Sequence, residues 1–183
     1  MPFASDSRLL FEGPQKHLSL QTNCETAQSR PGSTIAVIDM QSAFYASQDR
    51  QTINNVRLEI MEAKQRGSGI VIVEFNNCGQ TNPTIMELLA DYDETGWDIA
   101  RKDKTSGAFC ILKACCQKRF DLNKVRVMGV NTRACVKATA VAIAMISRST
   151  TVEVVQDACN DAGLGHKAEV WKDFSSLPNL FLV

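Results

Sequence analysis

Three residue types at three strand-like ends suggest a nucleophilic centre. Cys135 follows an apolar run, Val125 to Val130, that breaks at a turn and gives way to an alanine-rich segment. A cysteine at the start of a helix meets unpaired backbone N–H groups and the positive end of the helix dipole, and both favour thiolate over thiol. Asp39 closes the first strongly apolar run, Thr34 to Ile38, and Lys102 stands in the charged stretch Arg101-Lys102-Asp103-Lys104. Taken singly, each has a plainer reading: Cys135 as a small buried residue, Asp39 as a turn former, Lys102 as solvated surface. Together a carboxylate, a lysine and a cysteine describe acyl transfer to sulfur, with Asp39 as base and Lys102 helping to hold the thiolate.

The elements that must position them follow from periodicity. Short Val- and Ile-rich runs alternate with helix-length segments from Ser33 onward, the pattern of βαβ units. Strands are expected at Thr34–Ile38, Ile70–Phe75, Trp97–Arg101, Val125–Val130, Thr151–Val155 and Leu180–Val183. Helices are expected over Thr52–Arg66, from the Asn82-Pro83 start to about Tyr92, over Gly107–Phe120, Ala134–Arg148 and Lys167–Phe174. The fold class is α/β: a doubly wound, mainly parallel sheet of about six strands with helices on both faces. Such sheets bind ligands beyond the carboxyl ends of their strands. Asp39, Asn76, Lys102 and Asn131 all fall just past such an end, which gathers them on one rim.

Composition narrows the function. The 183 residues carry 20 basic and 20 acidic side chains, and no basic stripe appears, so nucleic acid is not an expected partner. Seven scattered cysteines and a start without an apolar signal core point to a reducing, cytoplasmic setting. The longest apolar stretch, Ala138 to Ile146, is too short to span a membrane. Residues 1–32 are expected to form a partly irregular extension, and 33–183 one domain.

Two motifs carry a family resemblance. Val37-Ile38-Asp39-Met40-Gln41, with Phe44 following, and Gly129-Val130-Asn131-Thr132-Arg133-Ala134-Cys135-Val136, with Thr139-Ala140 following, resemble the isochorismatase-like cysteine hydrolases, which include nicotinamidases and related amidohydrolases. The resemblance covers residues 33 to about 165. It implies an Asp39–Lys102–Cys135 triad, a cis peptide at Val130–Asn131, and an oxyanion hole from the amides of Asn131 and Cys135. The lysine is chosen by its spacing to Gly107, with Lys104 the alternative. Phe44, Asn76, Asn77, Phe109 and Arg133 are pocket candidates; Gln41 serves either backbone or substrate, and Trp97 serves packing.

The Asp-x-His zinc element that nicotinamidases often carry is missing from Glu74 to Thr81, and the adjacent Cys115 and Cys116 lack ligand spacing. No metal and no cofactor are expected, and nicotinamide is disfavoured as substrate. The expected activity is hydrolysis of a small amide or related C–N bond. The alternatives are isochorismatase-type vinyl ether hydrolysis, which can proceed without a cysteine nucleophile, and a silent member kept for binding or assembly. A homo-oligomer, dimer or tetramer, is expected from the family.

Overall fold

A computed structural model describes residues 32–172, 174 and 177–183. The expected extension lies outside the described residues up to position 31. Six strands form one parallel sheet: β1 (Thr34–Ile38), β2 (Ile70–Phe75), β3 (Trp97–Lys102), β4 (Lys124–Val130), β5 (Thr151–Asn160) and β6 (Leu180–Leu182). Their spatial order is β3-β2-β1-β4-β5-β6. Every residue of β1 is buried, as is β2 up to its last residue, because helices cover both faces.

Four helices complete the layers: α1 (Arg50–Gln65), α2 (Pro83–Met86), α3 (Ala108–Lys118) and α4 (Lys137–Ile146). α1 packs with α2, and α3 packs with α4. α1 starts where the Asp49 side chain accepts the Thr52 N–H at 2.8 Å, and it buries Val56, Ile60 and Ala63 on one stripe. It stops at Gly67, whose φ of 68° is cheap only for glycine.

Most elements lie within a few residues of expectation, and three differ more. The helix capped by Asn82 lasts only to Met86 and tightens into a 3-10 turn at Glu87–Leu89. The expected helix over Lys167–Phe174 is a single 3-10 turn, Ala168–Trp171. β5 runs five residues beyond the expected Val155, since its pairing with β4 resumes at Gly129–Cys159 and Val130–Asn160 after a register shift.

Strand order reverses between β1 and β4, the two strands whose ends carry Asp39 and the Cys135 turn. Gly129 permits their close approach. Its φ is 121°, and a Cβ there would stand 2.1 Å from the Ile38 carbonyl oxygen. No side chain fits between those backbones.

Candidate active site

Each of the three candidate side chains is delivered by a different strand end. Asp39 ends β1 in the left-handed region with φ 54°, which turns its side chain out of the pleat's alternation. Its N–H donates to the Val73 carbonyl at 2.9 Å, and the residue is fully buried. Lys102 is the last residue of β3, two strands away, a lateral gap of about 10 Å at ordinary strand spacing. Its long chain crosses the end of β2, with the ammonium 4.6 Å from the centroid of the Phe75 ring. Nζ then donates to Asp39 Oδ2 at 2.9 Å and to the Thr105 carbonyl at 3.1 Å. Lys102 is 5% exposed, whereas Lys104, the alternative lysine, is exposed.

Gln41 anchors this arrangement rather than facing a ligand. Its side-chain amide donates to the carbonyls of Phe75 at 3.0 Å and Gly79 at 2.5 Å, and its carbonyl accepts the Phe75 N–H at 2.7 Å. It thereby fixes the end of β2 under the lysine. Thr139 plays a similar part at α3, accepting the Gly107 N–H at 2.8 Å.

Cys135 lies in a five-residue π-helical turn, Thr132–Val136, that precedes α4, and it is 7% exposed. The chain enters that turn through Asn131 at φ 61°, ψ 57°. The expected cis bond at Val130–Asn131 is corrected: among the described residues every peptide is trans. The left-handed Asn131 reverses the chain instead, a conformation asparagine tolerates better than most residues.

The electrostatics also revise the expectation of a resting thiolate. Burial first, and then the neighbouring Asp39 carboxylate, push the Cys135 thiol up to about 11, against the opposing pull of Lys102. A helix-end dipole contributes about 0.3–1 kcal/mol, less than one pKa unit, so desolvation wins. Burial likewise raises the Asp39 carboxyl, opposed by Lys102 and by the Cys135 thiol. Burial thus draws both groups toward their neutral forms, and Lys102 opposes it at both. Asp39 Oδ1 has no partner in hydrogen-bond geometry although it is buried. A buried carboxylate oxygen without a partner has acceptor capacity to spare.

Thiolate absorbance in the ultraviolet, taken as a difference against Cys135→Ala, should titrate near 11 in the native protein. Asp39→Asn removes the anion and should lower that midpoint; Lys102→Met removes the cation and should raise it. A native midpoint at the ordinary value of about 8.5 would contradict the buried, paired thiol.

The other candidates are spread around the rim. Phe44 is half-buried against the core, and Phe109 is 71% exposed at the start of α3. Asn76 donates to Asp103 at 2.6 Å, and Asn77 is exposed at φ 62°. Trp97 is half-buried and packs on the core. Arg133 pairs through Nε with Asp161 at 3.2 Å and lines a shallow cleft of about 310 Å³ together with Thr105, Ala134 and Lys137. The sequence reading missed Asp161, which sits just past the end of β5 and so obeys the same strand-end rule as Asp39.

Among the described residues no group of three or more His, Cys, Asp or Glu could hold a metal ion. The turn after β2 offers Asn76, Asn77 and Cys78, and His166 is engaged with Asp49 at 3.4 Å. The described residues do not fit a zinc centre. No helix among the described residues is long and apolar enough to cross a membrane.

No family model matches the chain, and no curated protein does. Solved structures do. A MAR1 ribonuclease from Caenorhabditis elegans is 22% identical with a TM-score of 0.61, covering 79% of this chain and 71% of its own. The pyrazinamidase/nicotinamidase of Streptococcus mutans UA159 is 13% identical with a TM-score of 0.67, covering 83% of this chain and all of its own. N-carbamoylsarcosine amidase from Thermoplasma acidophilum is 18% identical with a TM-score of 0.60, covering 82% and 94%. An isochorismatase family protein from Desulfovibrio vulgaris superposes at 0.58 over 83% of the chain. Sheet order, strand-end placement of the three side chains and these superpositions agree: this chain has the isochorismatase-like fold.

Proposed function

We propose that the protein is a cysteine hydrolase acting on a small amide or related C–N bond through a thioester acyl-enzyme. The observation that carries the reading is the buried Asp39–Lys102 pair with the Cys135 thiol near enough to shift the carboxyl, at the point where strand order reverses. Solved neighbours named as nicotinamidase and N-carbamoylsarcosine amidase support the C–N bond as target.

In this mechanism Asp39 takes the thiol proton as sulfur bonds to the carbonyl carbon. Because the thiol is held high, proton transfer accompanies attack rather than preceding it. The carbonyl oxygen, now an oxyanion, is received by the N–H groups of Asn131 and Cys135. Collapse breaks the C–N bond, and Asp39 returns the proton to the departing nitrogen. Water then attacks the thioester, giving its proton to Asp39, and the released sulfur is reprotonated. Lys102 keeps a positive charge beside the carboxylate throughout, so no step leaves a buried anion uncompensated. No metal enters any step.

Assembly as a homo-oligomer belongs to the same proposal. It is supported by exposed apolar side chains at Phe109, Met145 and Ile146. A cytoplasmic setting is supported by the six described cysteines, all free. The neighbour named as a ribonuclease finds no counterpart in this chain's balanced charge.

A panel of small amides and ureides, read by ammonia release, tests the reading. At least one should be turned over, with an acyl mass adduct trapped on the peptide containing Cys135. Turnover of isochorismate that survives Cys135→Ala would assign vinyl ether hydrolysis instead. A panel with no turnover and no adduct would leave the silent, binding reading.

A further inference from the structure

We propose that Asp161 is a positioning residue for acyl transfer: its carboxylate pins the nucleophile turn that carries the Cys135 amide. The inference rests on the hydrolase reading above and adds to it a residue outside the triad.

Asp161 follows β5, the strand paired with β4 at Val130–Asn160, so it stands beside the start of the turn. Oδ2 accepts the backbone N–H of Arg133 at 2.9 Å, and Oδ1 accepts Arg133 Nε at 3.2 Å. Arg133 sits between Asn131 and Cys135, and its amide is among the first donors of the turn, which lack an acceptor within their own helix. The Asp161 side chain is 7% exposed while that of Arg133 is 50% exposed, so the well-buried half of the contact is the carboxylate on the backbone amide.

The carboxylate is itself held. Gly165 N–H donates to the Asp161 carbonyl at 2.8 Å, and Asp161 N–H donates back at 3.3 Å, closing a short loop. Glycines at 163 and 165 take φ values of 84° and 59°, which allow the chain to return so soon. A charged acceptor on a fixed loop therefore sets the path of the nucleophile turn. Displacement of about 1 Å at such a site costs about 100-fold in rate.

The test compares two reactions of Cys135 in the full chain. Acylation by para-nitrophenyl acetate passes through an oxyanion; alkylation by iodoacetamide does not. Asp161→Ala should slow acylation about 30- to 100-fold and leave alkylation within about twofold. Asp161→Asn retains an acceptor for the Arg133 amide and should restore most of the acylation rate. In an Arg133→Ala background Asp161→Ala should still depress the ratio of the two rates. Equal losses in both reactions would mean a merely structural role and overturn the proposal. So would an unchanged ratio, an Asp161→Asn variant as slow as Asp161→Ala, or an effect that vanishes without Arg133. Absence of any acylation at Cys135 in the native protein would sink the hydrolase reading itself; native acylation indifferent to Asp161→Ala sinks only this inference.

Discussion

Cys135→Ser is expected to lower amide turnover by at least about 1,000-fold while the folded protein keeps its unfolding midpoint. The hydroxyl replaces a thiol in a site where only 7% of the residue is exposed, so packing changes little. Chemistry changes greatly. Asp39 is raised above an ordinary carboxylate, but that still leaves it far too weak a base to form alkoxide from serine, and the thiol's advantage as nucleophile is lost. Turnover within about tenfold of the native rate would show that no thioester lies on the path. Circular dichroism and thermal melting on the same sample exclude unfolding as the cause. Cys135→Ala should behave alike, which separates loss of the nucleophile from any peculiarity of serine.

Lys102→Met should be costly in both stability and activity. It leaves the fully buried Asp39 carboxylate without its ion-pair partner, a change worth about 3–5 kcal/mol when one member of such a pair is removed. The loss depends on pH, and its sign is set by which state holds the proton. Burial already raises Asp39, and without Lys102 its folded-state value climbs further above the unfolded one. The destabilisation is therefore greatest near neutral pH, where a bare anion must be buried. It shrinks as pH falls through the raised folded-state value, because the protonated carboxyl needs no cation.

A double-mutant cycle isolates the pair. Asp39→Asn tolerates the left-handed backbone at position 39 and removes the charge, so Lys102→Met in that background should cost little. Urea unfolding of the four proteins measures the coupling. A Lys102→Met protein as stable as the native one at neutral pH would contradict the buried ion pair. Its amide turnover should also be lost, since no cation would then steady Asp39 and Cys135 as the proton passes between them.

How far the sequence reaches can be seen residue by residue. β1 and β2 fall at their expected bounds because both faces of each strand are covered, which writes a continuous apolar run into the chain. Asp39, Lys102 and Cys135 are legible because each follows or ends such a run, and in a parallel sheet all those ends share one rim. The N-terminal cap at Asn82 is legible too, yet the helix it opens stops at Met86. Capping chemistry is local, whereas helix length is settled by what packs against it.

Asp161 was out of reach for a definable reason. The polar pair Gln156 and Asp157 reads as the end of β5, whereas the strand continues to Asn160 because β4 offers pairing partners beyond its register shift. Moving that boundary five residues moves the functional strand end with it. The resting thiol is a similar case. Helix position argued for a thiolate, but the depth of burial and an adjacent carboxylate are properties of assembled structure, and they outweigh the dipole.

What the sequence determined by itself is the kind of fold and the cast of reactive groups, since hydrophobic periodicity and residue type are local and survive without coordinates. What only the tertiary structure decided is how those groups are charged and held: a lysine reaching over β2 to a buried carboxylate, a left-handed Asn131 in place of a cis bond, and a carboxylate from β5 on the nucleophile turn. Those depend on distance and burial between strands far apart in the chain, and pairing between β1, β3, β4 and β5 sets them.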